Sequence, residues 1–401
     1  MITINEADKL IAQNIKDFPI VEKPLEECYG AVLREDIRAD RDFPAFDKVL
    51  MDGIAIAISS YQKGTRNFKI EETQAAGKEA LSLKTADGCI EIMTGAVIPQ
   101  GCNAVIPLEQ IKITDSHAVV EDSLSLQLMQ NVNPKGAHYR QGDQLLSRGS
   151  VLLPPQIAVC ACVGKAALKV SPKLKAAIIS TGDEIVDIDR KVKPFQVRKS
   201  NAYAVHAALE MTHLFAAAMF HIKDDKKNLL QDIGSILKKF DVLVLSGGVS
   251  MGKFDFIPEV LRELGVEVIF HKVKQKPGKP FWFGRDKSGK AVFALPGNPV
   301  STQIGVYRYV IPHLKRALGI YPNSKKYGVL TEDFEPKTSL AYFLPVTIAP
   351  SEDGRLLASP LKLAGSDDLG TLAKSDGFVE IPAETKFVEK GLPLALYRWN
   401  E

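Results

Sequence analysis

The spacing of apolar and polar residues changes several times along this chain, and each change indicates a different kind of structure. Residues 1–40 have the spacing of amphipathic helices, in one stretch that runs to Ile15 and another from Leu25 to Leu33. Residues 44–140 hold short apolar runs between glycines and prolines, which is typical of a small, mostly β domain. From Lys173 onward, apolar runs of strand length alternate with helical stretches, which predicts a largely parallel sheet covered on both faces.

These changes predict a chain of four parts. A split, mixed or helical domain comprises residues 1–43 and 141–172, and a mostly β insertion occupies residues 44–140. A doubly wound α/β domain follows at 173–318, and short strands with glycine and proline turns predict a C-terminal β domain at 319–401. The fold class is therefore multidomain α/β plus β.

Composition excludes several classes of protein. The chain of 401 residues is 45% hydrophobic and 25% charged, close to globular averages. A net charge of +3 is too small to indicate a nucleic-acid partner. The five cysteines form no C-x-x-C pair, and no apolar run reaches the about 18–20 residues that cross a bilayer. We therefore expect a cytoplasmic protein without a signal peptide and without a nucleic-acid or membrane partner.

Three predicted strands of the α/β domain end in loops that contain glycine. The loops begin at Thr181-Gly182, at Gly247-Gly248 and at Gly297-Asn298. Ligands of open parallel sheets bind at the carboxyl ends of the strands, and each loop leads towards a helix N-terminus. Glycine also lets the backbone approach a ligand closely. The pattern predicts an anion-binding site on one edge of the sheet.

The segment HKVKQKPGKPFWFG places four lysines close together, namely Lys272, Lys274, Lys276 and Lys279. Alternation along an extended strand puts the first three on one face. A solvated edge strand protected by lysine explains them equally simply. The aromatic residues that follow at 281–283 favour an anion site instead.

Acidic residues lie near these loops. Asp183 and Glu184 follow the first strand, Asp224 and Asp225 follow the run MFHIK, and Asp255 lies beside the second glycine loop. Carboxylates beside lysines and N–H donors are typical of a Mg²⁺-assisted phosphate site. A single acid in such a place is more often a helix cap than a ligand, and Asp255 could cap the helix that follows it.

The run from Gly247 to Lys253 comes close to a Walker A loop, but it is not one. Phe254 stands where that loop needs a serine or threonine for Mg²⁺. No apolar strand ends in a Walker B aspartate, and no G-x-G-x-x-G follows a strand. The hypothesis that the protein is a nucleotide hydrolase therefore rests on this near-match alone.

Four motifs of the second half resemble, in order and spacing, those of the molybdopterin molybdenumtransferase family, MoeA, the bacterial counterpart of the gephyrin E domain. They are STGDE (180–184), LSGGVSMGKFD (245–255), KPGKPFWFG (276–284) and LPGNPVS (295–301). In the first half, FPAFDKVLMDGIAI (43–56) and IMTGAVIPQGCNAVI (92–106) resemble motifs of the same family. These two favour it over MogA-like adenylyltransferases and CinA-like proteins, which share only the α/β domain.

The resemblance implies a MogA-like α/β domain and a head-to-tail homodimer. Its active sites would form where this domain meets the β insertion of the other subunit. Family members take adenylylated molybdopterin and molybdate, hydrolyse the adenylate with Mg²⁺ or Zn²⁺ and leave molybdenum on the dithiolene. A MogA-like molybdopterin adenylyltransferase would supply the substrate.

Roles for individual residues come from the same resemblance. It implies catalytic roles for Asp52, Thr94, Glu184, Asp224, Asp255, Lys272 and Lys276, with Glu184 and Asp255 as metal ligands. It implies a cofactor-binding role for Ser246, Gly247, Gly248, Pro296, Gly297 and Asn298. The first glycine loop and the lysine segment add Thr181, Gly182 and Lys279 to the predicted cofactor-binding residues.

The chain departs from the family pattern mainly around the β insertion. Lys48, Val49 and Leu50 replace Asn-Ser and a small residue, and Ile54 replaces a tyrosine. An acid is replaced by Gln144, beside Asp143, and another by Lys199. These departures leave open a non-catalytic molybdopterin-binding paralogue or one with altered specificity, for example for tungstate.

Overall fold

The structure is a computed structural model that describes residues 1–249, 256–321 and 325–400. The chain forms two compact units. The first unit comprises Met1–Glu35, Arg148–Ile157 and Ala167–Glu401, and the second comprises Asp36–Ser147 and Ala158–Ala166. A helix spans Pro154–Cys162.

The centre of the first unit is a six-stranded sheet. Its strands in chain order are β1 (Leu174–Thr181), β2 (Phe215–Ile222), β3 (Val242–Ser246), β4 (Glu267–His271), β5 (Trp282–Arg285) and β6 (Ala291–Leu295). They lie side by side in the order β2-β1-β3-β6-β5-β4. The neighbours from β2 to β6 are parallel, whereas β5 is antiparallel to both β6 and β4. The predicted, mostly parallel sheet is confirmed.

Alternate residues of the central strands pack into two separate apolar clusters. In β3, Val242 and Val244 belong to one cluster, and Leu243 and Leu245 belong to the other. All four side chains are fully buried. Helices cover both faces, which explains why these strands read as continuous apolar runs. The helices of this domain are α1 (Ser200–Glu210), α2 (Lys226–Lys239), α3 (Ile257–Glu263), α4 (Pro299–Gly305) and α5 (Ile311–Ala317).

The last of the predicted helices is interrupted. A π-helical turn, Val306–Val310, separates α4 from α5, and Pro312 stands in the first turn of α5. Proline has no N–H to donate, so a regular α-helical hydrogen-bond ladder cannot pass this position.

The N-terminal helix Ile4–Asn14 agrees with the prediction, and Thr3 and Glu6 form a capping box at its start. The second predicted helix, from Leu25 to Leu33, is wrong. Only a 3₁₀ turn, Leu25–Glu27, forms there. The apolar residues after it are buried by bridges instead, Val32 with Val151 and Leu33 with Val170. The strand Val21–Pro24 pairs with Ala167–Val170 beside them.

The C-terminal part is a β domain, as predicted. Its sheet contains Gln275–Lys276, Tyr327–Leu330, Ala341–Pro350, Leu356–Pro360, Gly377–Ile381 and Pro393–Arg398, with a short helix at Leu369–Leu372. Ala341–Pro350 also pairs with Gly377–Ile381, which closes five of these strands into a barrel. The remaining strand, Gln275–Lys276, adds to the barrel by parallel pairing.

The second unit is mostly β. Its main sheet has the order Ala104–Pro107, Gly53–Ile56, Gly88–Ile92, Asn67–Gln74, His117–Val120, Ile111–Thr114. Short pairs form between Val132–Asn133 and Lys48–Val49 and between Gln144–Leu146 and Ile37–Arg38, and one short helix spans Ile58–Gln62. Across the described residues of both units, every helix is too short or too polar to span a membrane.

Candidate active site

The three glycine loops of the central sheet lie together, as the sequence predicts. Ser180 of β1 is in register with Ser246 of β3, and Ser246 is in register with Leu295 of β6. The chain leaves β1 for β2 on one side and then returns to β3 on the other. The carboxyl ends of β1 and β3 therefore flank the switch point, where open α/β sheets bind their ligands.

A cavity of about 940 Å³ opens at this edge of the sheet. Its walls come from the first unit and include nine of the residues to which the sequence assigns a role. They are Thr181, Glu184, Asp224, Ser246, Gly247, Gly248, Pro296, Gly297 and Asn298.

The glycines of the second loop allow a close approach of the backbone to its surroundings. Gly247 and Gly248 have φ angles of +101° and +65°, a region that L side chains rarely adopt. A Cβ atom on Gly248 would lie 2.7 Å from Cγ1 of Ile257 and 2.9 Å from Oγ1 of Thr181. That Thr181 hydroxyl is buried and has no hydrogen-bond partner among the described residues.

Asn201 links the loops after β3 and β6, although the sequence assigns it no role. Its Nδ2 donates to Ser246 Oγ at 2.9 Å, to the Gly297 carbonyl at 2.7 Å and to Thr302 Oγ1 at 3.2 Å. Thr302 in turn donates to the carbonyl of Pro296 at 2.7 Å. The sequence signal was an asparagine in the first turn of a helix that follows a predicted strand.

The resemblance assigns catalytic roles to three acids of the α/β domain, and two of them, Glu184 and Asp224, line the same cavity. Asp255 lies outside the described residues. Asp367, from the C-terminal part, also lines the cavity and was missed. Among the described residues, no group of three or more histidines, cysteines or acids is placed to hold a metal ion.

The lysine segment is arranged differently from the prediction. Lys272 has a φ of +76° and β4 ends at His271, so the first three lysines do not share one strand face. That part of the prediction is wrong, because a left-handed residue breaks the alternation. Lys272, Lys276 and Lys279 do not line the cavity. Their assigned roles remain predictions.

Arg198 and Lys199 are the cations among the described residues that line the cavity. Lys199 Nζ lies 2.7 Å from Asp187 Oδ1, and the lysine side chain is only 13% exposed. This lysine holds the pKa of Asp187 below its usual range. Arg198 donates through Nε to the carbonyl of Ile188 at 3.0 Å. The sequence shows Lys199 only as a departure from the family pattern, which has an acid at this position.

The second unit brings together the two residues to which its motifs assign a role. Thr94 donates to Asp52 Oδ1 through its backbone N at 2.5 Å and through its hydroxyl at 2.7 Å. These bonds lower the pKa of the Asp52 carboxyl. Gly53 must be glycine, because a Cβ there would lie 1.9 Å from the carbonyl oxygen of Ile106. Beside this pair, the departing residue Leu50 is half exposed.

Three family models match successive parts of the chain. They are the MoeA N-terminal region (domain I and II) at residues 2–164, a probable molybdopterin binding domain at 177–316 and the MoeA C-terminal region (domain IV) at 327–398. The second of these covers the central sheet from residue 177 of β1 onward and most of the cavity wall.

Relatives match the chain over its full length. A molybdopterin molybdenumtransferase of Synechocystis is 37% identical over 400 residues, covering 100% of both chains. One of Bacillus subtilis is 30% identical over 97% of this chain and 92% of its own. A crystal structure of the molybdopterin biosynthesis MoeA protein of Pyrococcus horikoshii superposes with a TM-score of 0.83, at 30% identity and 100% coverage of both chains.

The fold defines a multidomain protein built around an α/β domain of the probable molybdopterin-binding type, with a cavity at the switch point of the sheet. The similarity extends through the N-terminal and C-terminal regions as well. The chain belongs to the molybdopterin molybdenumtransferase family, MoeA.

Proposed function

We propose that this protein is a molybdopterin molybdenumtransferase, an enzyme of molybdenum cofactor biosynthesis that inserts molybdate into adenylylated molybdopterin and releases AMP. The observation that carries the proposal is the glycine-lined cavity at the switch point, in a chain that matches transferases of that name from end to end. The alternative, a paralogue that binds without turnover, rests on the departures from the family pattern at Lys48, Val49 and Gln144.

The cavity is suited to a ligand that carries phosphate groups. Gly247 and Gly248 let such a ligand approach the backbone, where N–H groups at loop and helix starts favour anions. Thr181 offers a buried hydroxyl without another described partner. Asn201 holds the two loops in register, so the cavity is formed before the ligand binds. Donors that are already in place stabilise developing charge at little reorganisation cost.

The reaction is proposed to use Mg²⁺, with Glu184 and Asp255 as ligands. Glu184 and Asp224 bring carboxylate oxygens to the cavity, and none of its described wall residues is a histidine or cysteine. This donor set fits Mg²⁺ better than Zn²⁺. When bound, the cation would offset negative charge on the phosphate oxygens.

The second unit is proposed to act across a homodimer. Asp52, fixed by Thr94 in its ionised form, would complete the cavity of the partner subunit. A MogA-like adenylyltransferase is the proposed donor of the substrate, and the cytoplasm the proposed location. The homodimer and the donor come from the family resemblance, and the location comes from the composition of the chain.

The transferase activity is tested by incubating purified protein with adenylylated molybdopterin, molybdate and Mg²⁺ and measuring AMP. We expect AMP release that depends on molybdate and that falls about 10²-fold or more in Glu184→Gln and Asp224→Asn. Asp232→Asn, which changes an exposed acid of α2, is the matched control and should leave the rate unchanged. Pterin binding without AMP release would show that the protein is the binding paralogue and not a transferase. ATP hydrolysis without pterin would show that it is a nucleotide hydrolase.

The shared active site is tested by mixing two inactive variants, Asp52→Ala and Glu184→Gln. If sites are shared in a homodimer, mixed dimers contain one site with both residues intact, and activity returns on mixing. If subunits exchange, as followed by mass spectrometry of an isotope-labelled variant, and activity stays absent, each subunit has its own complete site.

A further inference from the structure

The electrostatic arrangement at the start of α1 is unfavourable for the protein alone. Lys199 occupies the N-cap position of α1 (Ser200–Glu210), and no side chain caps this helix. Its first turn contains no acidic residue. A helix N-terminus carries a partial positive charge of about +0.5, so a lysine there adds a second positive charge.

Lys199 is also largely withdrawn from water. Its side chain is 13% exposed, whereas that of its partner Asp187 is 60% exposed. A lysine ammonium has three N–H donors, and one donor meets Asp187 Oδ1 at 2.7 Å. A cation in this position is costly unless negative charge compensates it, and a single well-exposed carboxylate does so only in part.

The cavity offers a second, independent sign of a ligand. Thr181 lines the same cavity and is 2% exposed, and its Oγ1 has no hydrogen-bond partner among the described residues. A buried hydroxyl without a partner costs about 1–3 kcal/mol as a general rule, so it is rare in native structures unless a ligand or water satisfies it. A polar ligand in the cavity would supply that partner.

We propose that Lys199 is a substrate-binding residue that determines specificity, and that it binds a tetrahedral oxyanion in the cavity beside Asn201 and Gly297. This inference rests on the proposed function and deepens it, since the substrates of that reaction contain phosphate and molybdate groups. The lysines at 272, 276 and 279 do not line the cavity. Among the described residues, the positive charge in the cavity wall comes from residues 198–199. Asp187 is the counter-ion that holds Lys199 in place and competes with the ligand.

The test is isothermal titration of the full-length protein with pyrophosphate, AMP and molybdate, each alone. Lys199→Gln should raise the dissociation constant of at least one anion about tenfold or more, the usual effect of losing a hydrogen bond to a charged group. Lys199→Arg keeps the charge and should stay close to wild type. Lys193→Gln, a lysine on the same segment whose Nζ lies over the ring of Phe195, is the matched control and should bind like wild type.

Asp187→Asn separates a binding role from a structural one. Removing the competing carboxylate should tighten anion binding several-fold, because the oxyanion becomes the main counter-charge of Lys199. A residue that merely supports the fold would give weaker binding in both the Lys199→Gln and the Asp187→Asn variants. Weaker binding in both variants would therefore overturn the inference. So would unchanged binding in Lys199→Gln, or a wild-type protein that binds none of the three anions.

The three probes also identify the source of the oxyanion. An effect confined to pyrophosphate and AMP assigns Lys199 to the phosphates of the substrate, and an effect confined to molybdate assigns it to the metal oxyanion. The titrations need no turnover. If the protein releases AMP and Lys199→Gln still binds all three anions normally, the inference about Lys199 is wrong and the proposed function stands.

Discussion

The turn at Pro277-Gly278, next to the predicted phosphate-binding lysines, is held by two buried polar side chains, Gln275 and Tyr309. The Tyr309 hydroxyl donates to Oε1 of Gln275, and Nε2 of Gln275 donates to the carbonyl of Gly278 at 3.1 Å. Both side chains are at most 1% exposed, so water does not replace a lost partner. A double-mutant cycle on this pair therefore measures how firmly the turn is anchored.

The expected magnitudes follow from these contacts. Gln275→Leu leaves a buried hydroxyl unpaired, at about 1–3 kcal/mol, and removes the bond to the turn, worth about 1 kcal/mol, so unfolding becomes easier by about 2–4 kcal/mol. Tyr309→Phe keeps the ring and should cost about 1–2 kcal/mol. In the double variant both donor and acceptor are gone. Its cost should therefore fall about 1–2 kcal/mol short of the sum of the two single changes.

Tryptophan fluorescence makes this measurement specific to one part of the chain. The two tryptophans, Trp282 and Trp399, both lie in the first unit, so urea unfolding followed by their emission reports on that unit. Tyr342→Phe is the matched control, because burial alone acts on the Tyr342 hydroxyl, which makes no hydrogen bond to a described residue. Costs that add within about 0.5 kcal/mol, or a Gln275→Leu variant as stable as the control, would refute the reasoning.

Two further predictions concern the two units separately. Thr94→Val removes the hydroxyl that contributes most to the lowered pKa of Asp52, so this pKa should rise towards its ordinary value in a carbon-detected NMR titration. Because its pKa is lowered in the folded state, the Asp52 carboxylate stabilises the fold. This stabilisation is fully present above the ordinary pKa and is lost as the pH falls through the lowered pKa, so Thr94→Val should lose less stability on acidification. An unchanged Asp52 pKa would contradict this. Gly248→Ala should lower the melting temperature more than Gly354→Ala, since both glycines have positive φ but only at Gly248 would a Cβ meet another residue, Ile257 at 2.7 Å. Equal effects would show that the left-handed backbone alone, at about 1–2 kcal/mol, sets the cost.

The central sheet and its ligand edge were predictable because they depend on local patterns. Strands buried on both faces read as apolar runs, and the glycine loops after β1, β3 and β6 must share an edge once those strands are parallel. The pairing of Asp52 with Thr94 was not visible in any local pattern. It was anticipated only as far as the motif resemblance assigned both residues a role.

The failures have a common physical cause, which is that tertiary contacts decided the local conformation. The apolar residues from Leu25 to Leu33 have helical spacing, but bridges to Val151 and Val170 bury them in extended form. The left-handed Lys272 breaks a strand pattern that its neighbours support. The roles of Asn201 and Lys199 depend on which way the start of α1 faces, and spacing along the chain does not encode that direction.

The most direct test of the whole account is the ratio of molybdenum transferred to AMP released, measured on the wild-type protein with adenylylated molybdopterin, molybdate and Mg²⁺. The account predicts equal amounts of molybdenum in the pterin product and of AMP in solution, with neither formed when molybdate is withheld. AMP released at the same rate without molybdate, or tight pterin binding with no AMP at all, would contradict it.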